Sequence, residues 1–190
     1  MRKQVKITLR HGTPAEVGVQ RLLSELLAKY DLTDWIFTED VLVDEDAFPH
    51  SHPVLTLGTG NGSDELLCLA ELVHEQLHWF EEERAEARDR AIEATVLHWP
   101  EVPSARPEGA GSESSTRLHL LVCYLEYQAM KLLVGERAAR QTMTALAGHH
   151  YRWVYRTVLS EEQTIGALVA RHGLLPEPLL QRGVARREEG

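Results

Sequence analysis

Residues 5–9 alternate apolar Val5, Ile7 and Leu9 with polar Lys6 and Thr8, the period of a half-buried strand. Thr13 and Pro14 then open a helix, because proline is favoured at the first helical position. Val17, Leu22, Leu23, Leu26 and Leu27 mark its apolar face, and it ends near Tyr30 and Asp31. Residues 35–38 and 41–43 read as a second extended region, broken by Asp44, Glu45 and Asp46 and again by His50, Ser51, His52 and Pro53. Residues 54–57 form a short strand closed by the glycine-rich turn at 58–62. Asn61 or Ser63 caps the next helix, which starts near Asp64 with Asp64 and Glu65 favourable in its first turn. Leu66, Leu67, Leu69, Ala70, Val73, Leu77 and Phe80 make this helix apolar enough to be buried. It continues, bent or broken, through a charged and solvated face at 81–88 to His98, and Pro100 stops it.

Residues 100–116 are rich in proline, glycine and serine and are expected to form a mobile loop. Helices follow at 117–134, from 136 to about 147, at 151–159 and at 161–171, with Gly173 as the final stop. The tail from Pro176 is expected to be poorly ordered. The pattern predicts an α+β fold, with a small N-terminal mixed sheet, a backing helix and a long helix after the last strand, followed by an all-helical C-terminal half. The expected organisation is an N-terminal subdomain at 1–99, a loop at 100–116, a helical subdomain at 117–175 and a tail at 176–190.

The chain has 190 residues, enough for a sizeable core, and a formal net charge of −9. With no basic stripe to neutralise phosphates, that charge argues against a nucleic-acid partner. Cys68 and Cys123 both sit in apolar helical stretches and read as buried thiols rather than a disulfide. The first residues lead into a strand rather than an apolar signal segment, and no apolar run reaches the length of a membrane span. The expected setting is cytoplasmic.

Candidate chemistry concentrates in His74-Glu75-Gln76-Leu77-His78. On a helix, residues four apart share a face, so both imidazoles can reach one zinc ion while Glu75 reaches a water beside it. The carboxylate is then placed to take a proton from that water for attack on a carbonyl. A catalytic zinc site needs a third protein ligand. Glu126 is the better candidate, since it is a lone carboxylate in an almost wholly apolar helix and needs a compensating charge. His119, two turns earlier, is an alternative ligand or a partner that orients Glu126. The bland reading pairs Glu126 with Arg152 or Arg156. His149, His150 and Tyr151 could stabilise an oxyanion, although boundary aromatics capping a core explain this cluster equally well. His11, His50 and His52 suit surface roles, and His98 and His172 structural ones.

The order strand, helix, strand, short strand and His74-Glu75-x-x-His78 helix, then a helical half with a glutamate, resembles the gluzincin clan of zinc metallopeptidases. Its small soluble members, the minigluzincins, are the most similar. The resemblance spans residues 5–155, and its sharp part is the five-residue motif. It implies a zincin-like fold, Zn²⁺ held by His74, His78 and Glu126, and Glu75 as general base. It also implies that residues 54–57 form a sheet edge that pairs with an extended peptide or protein substrate. Where the glutamate helix of that clan carries a supporting aspartate, this chain has Tyr127 and Gln128. Two other functions fit the same residues. One is a catalytically silent zincin-like domain that binds a protein partner. The other is a non-proteolytic, di-iron-like metal protein built on Glu71-x-x-His74 and Glu75-x-x-His78.

Overall fold

A computed structural model of the chain describes residues 3–181. Their order is β1 (Lys6–Leu9), α1 (Pro14–Lys29), a 3₁₀ turn (Thr33–Trp35), β2 (Asp40–Val43), β3 (Leu55–Leu57), α2 (Glu65–Glu82), α3 (Ala85–His98), α4 (Glu113–Val134), α5 (Glu136–Leu146), α6 (Arg152–Ser160) and α7 (Glu162–Arg171). The fold is α+β. No helix among the described residues is long and apolar enough to cross a membrane. Contacts divide the chain into two units, Met1–Phe80 and Glu81–Gly190.

In the first unit the sheet has the order β1-β2-β3 and both pairings are parallel, so it is not the mixed sheet the pattern suggests. The connections decide this. Helix α1 carries the chain back to the starting end of the sheet before β2, and residues 44–54 do the same before β3. The Thr13 hydroxyl accepts a hydrogen bond from Glu16 N–H (3.3 Å), with Pro14 at the first turn as expected. The buried face of α1 is Glu16, Val19, Leu23 and Leu26, whereas Val17 is 47% exposed. Glu16 is a buried carboxylate that no periodicity announces. It accepts from the N–H groups of His11 (2.8 Å), Gly12 (2.7 Å) and Glu45 (3.2 Å), joining two turns of the unit. Burial pushes its pKa up, but these donors outweigh that effect and leave it below the usual value.

Residues 35–38 are not a strand. The chain makes the 3₁₀ turn with Trp35 buried, and the backbone of the next residues bonds to a side chain instead of a ladder. Gln76 Oε1 accepts from the N–H of Phe37 (2.7 Å) and of Thr38 (2.8 Å), while its Nε2 donates to the carbonyl of Thr38 (2.9 Å). At the head of α2, the cap is neither Asn61 nor Ser63. Asp64 Oδ1 accepts from Leu66 and Leu67 N–H, both at 3.0 Å, and Asn61 gives its amide to Glu71. The outer edge of β3 is already engaged: His50 N–H donates to the Thr56 carbonyl (3.0 Å) and Thr56 N–H donates to the His50 carbonyl (2.8 Å).

The second unit is built around α4, which packs against α3, α5, α6 and α7. It begins at Glu113, earlier than its apolar pattern suggests, because Ser112 caps it by accepting from Ser115 N–H (3.0 Å). The preceding breaker-rich segment is hydrogen-bonded to the first turn of α4. Thr116 Oγ1 donates to the Pro103 carbonyl (2.8 Å) and accepts from Ala110 N–H (2.8 Å), and a side chain at Gly109 would collide with the Pro103 carbonyl. Buried Arg117 donates to Thr95 Oγ1 (3.1 Å) and to the carbonyls of Trp99 (2.9 Å) and Pro100 (3.0 Å). Cys68 and Cys123 are buried and are not joined in a disulfide, as expected. Gly173, at φ +72°, ends α7 in the left-handed region. Residues 177–181 form a helical turn in the segment expected to be poorly ordered, and the rest of that tail lies outside the described residues.

Replacing Gln76 with Leu should lower stability by about 2 to 3 kcal/mol, because it strips hydrogen bonds from three backbone groups while keeping the side-chain volume. Urea unfolding would measure this, and a midpoint shift worth less than roughly 0.5 kcal/mol would show that water replaces the amide without cost.

Candidate functional site

On α2, residues 71, 74, 75 and 78 fall at i, i+3, i+4 and i+7, so Glu71, His74, Glu75 and His78 form one polar stripe on an otherwise apolar helix. The His74 and His78 rings lie with centroids 5.0 Å apart and planes at 71°. His74 and Glu75 are each 7% exposed, and His78 is half-buried. Burial pushes the Glu75 carboxyl up to about 7; His78 opposes the shift and Glu71 adds to it. Glu71 is tied to the turn before the helix, accepting from the Asn61 amide and from Gly58 N–H. That engagement weighs against the di-iron reading, which needs Glu71 as a ligand. Burial also pushes the Cys68 thiol up to about 12, so it is inert at neutral pH.

Trp79, next to His78, donates from Nε1 to the Ser51 carbonyl (2.9 Å) and stacks on His52 at 4.2 Å. Together with the His50 bridge, this holds residues 50–52 along the rim of the first unit. His50 and His52 are exposed, in keeping with their expected surface roles. His11 stands on the surface with Nε2 at 3.7 Å from Asp44 and 3.6 Å from Asp46.

In the second unit, Glu126 lies in the middle of α4 with no exposed surface. Its Oε2 accepts a hydrogen bond from the Tyr155 hydroxyl at 3.1 Å. Arg156, one suggested partner for Glu126, pairs with Glu108 instead. His119 is buried, and its Nδ1–H donates to the Ser115 carbonyl at 2.7 Å. The Tyr151 ring packs on His119 at 4.3 Å. The His150 ring lies 4.9 Å from Tyr151 and 5.8 Å from Tyr155. The structure thus gathers Glu126, His119, Tyr151 and His150 within one unit. His149 and His150 are both exposed on the turn between α5 and α6, and His149 joins none of these ring contacts.

Tyr151 has φ +46° and ψ +40°, the left-handed region that a non-glycine residue rarely adopts. Arg152 N–H donates to the Pro107 carbonyl (2.9 Å) and Trp153 N–H to the Glu108 carbonyl (3.2 Å), which fixes the residues that follow. Such a conformation costs of order 1 kcal/mol and persists where its surroundings over-determine it. Tyr155 belongs to the aromatic cluster visible in the sequence, but nothing local links it to Glu126, which sits on another helix.

His74, His78, His119, Cys123 and Glu126 are among the side chains that could hold a metal ion. Imidazoles, carboxylates and thiols are ligand types that zinc and other transition metals accept. Comparison with known protein families, curated proteins and solved structures finds no match to this chain.

The Glu75 shift predicts a stability change with pH in metal-free protein. With its folded pKa raised from 4.5 to about 7, Glu75 contributes stability that is fully present below pH 4.5 and lost as pH rises through 7. Glu75→Gln should therefore stabilise metal-free protein at pH 8 by roughly 2 to 3 kcal/mol and have little effect at pH 4. Denaturation curves at the two pH values make the comparison, and an equal effect at both would remove the buried-carboxylate account.

Proposed function

We propose that this chain is a zinc-dependent metallopeptidase in which His74, His78 and Glu126 hold the ion and Glu75 is the general base. The observation that carries the reading is the buried polar stripe of α2, where two imidazoles share one face with a carboxyl group titrating near neutrality. Such a stripe is costly unless something compensates it, and a cation does so. A bound zinc ion supplies Lewis acidity toward water and toward a carbonyl oxygen. Glu75, with its pKa near the working pH, takes a proton from the attacking water and returns it to the leaving amine. Tyr151 and His150 act as donors to the oxyanion, Tyr151 being held in place by its strained backbone. His149 and His150, both exposed, would reach the substrate from the rim.

The substrate in this reading is a peptide or protein segment that adds along the outer edge of residues 54–57. Thr56 uses its outward N–H and carbonyl on His50, so a peptide can pair there only after that bridge opens.

Metal analysis tests the reading directly. Protein purified without chelator should carry about one zinc per chain, and both His78→Ala and Glu126→Ala should bind it far more weakly. Glu75→Gln should retain zinc and lose peptide hydrolysis. No zinc in the unmodified chain, even after incubation with the ion, would sink the proposal. Zinc bound without any peptide turnover would favour the silent, partner-binding domain.

A further inference from the structure

We propose that Tyr155 is a positioning residue for Glu126: its phenol holds Oε2 and thereby presents Oε1 as the single ligating oxygen. The inference rests on the three-ligand reading above and concerns a residue that this reading does not include.

The argument begins with the carboxylate itself. The terminal torsion of a glutamate is broad and roughly two-fold, so an unconstrained carboxylate offers a metal either oxygen or both. A donor fixed to one oxygen removes that degeneracy. Tyr155 is such a donor, with its hydroxyl 3.1 Å from Oε2, and neither residue is more than 1% exposed. The phenol is held on a second side by the His150 ring, 5.8 Å away, and Cys123 lies beside it. The contact lies within the second unit, between α4 and α6. Partners that orient a metal ligand in this way typically change metal affinity by about 10- to 100-fold.

The alternative is a hydrogen bond that serves folding alone, and a double-mutant cycle separates the two. Zinc affinity is measured by competition with a chromophoric chelator on the full chain, using Tyr155→Phe, Glu126→Ala and the pair together. Tyr155→Phe should weaken zinc binding about 10- to 100-fold, and it should add nothing further in the Glu126→Ala background. The cobalt-substituted chain supplies a second readout. Unmodified protein should show the intense visible bands of a four-coordinate ion, and Tyr155→Phe should weaken them as the freed carboxylate binds through both oxygens.

If the unmodified chain binds zinc and Tyr155→Phe binds it equally well, the positioning role is wrong while the metal site stands. An equal loss in the Glu126→Ala background would place the action of Tyr155 elsewhere and also overturn it. If Tyr155→Phe does not fold, the unmodified cobalt spectrum still decides: weak bands of a five- or six-coordinate ion would exclude a single ligating oxygen. A chain that binds no zinc at all removes the metal reading and this inference with it.

Discussion

One buried amide governs the first unit. Gln76 occupies a variable position of the His-Glu-x-x-His run and bonds to the backbone of Phe37 and Thr38 through both ends of its side chain. An α-helix turns by about 100° per residue, so fixing the direction of residue 76 fixes those of residues 74, 75 and 78. The polar stripe of α2 therefore faces where it does because its neighbour on the opposite side is bolted to a non-repetitive segment. That segment in turn needs the amide, since its backbone groups have no ladder to join.

The same constraint, that buried polar groups need partners, organises the second unit. Along α4, Thr116 bonds to Pro103 and Ala110, Arg117 to Thr95, Trp99 and Pro100, His119 to Ser115, and one oxygen of Glu126 to Tyr155. Toward its end, Gln128 donates to Glu162 on α7 (2.9 Å), and Lys131 pairs with the same carboxylate. The segment before α4 supplies carbonyls that these side chains require as acceptors.

Two features of the candidate site oppose folding. Glu75 is a carboxyl group lifted toward neutrality by burial, and Tyr151 holds a backbone conformation that few side chains tolerate. Each is sustained by its surroundings: Glu75 by a helix whose orientation is set elsewhere, and Tyr151 by backbone bonds from the residues after it to Pro107 and Glu108. Costs of this kind gather where side chains must be held in one geometry for chemistry.

What the sequence determined by itself was whatever depends on near neighbours along the chain. The Thr13–Pro14 start of α1, the stop at Gly173 and the sharing of one face by His74 and His78 follow from caps, breakers and the 3.6-residue period. Burial of Glu126 and of both cysteines was legible for the same reason, since each sits in a helix that is apolar almost all round. The tertiary structure alone decided which distant groups would meet. It set the parallel direction of the sheet, the closing of the β3 edge by His50, the replacement of a strand at 35–38 by bonds to Gln76, and the pairing of Glu126 with Tyr155. Periodicity says which face of an element is buried but not what covers it, because that depends on how separate elements pack and on which partner satisfies each polar group once water is gone.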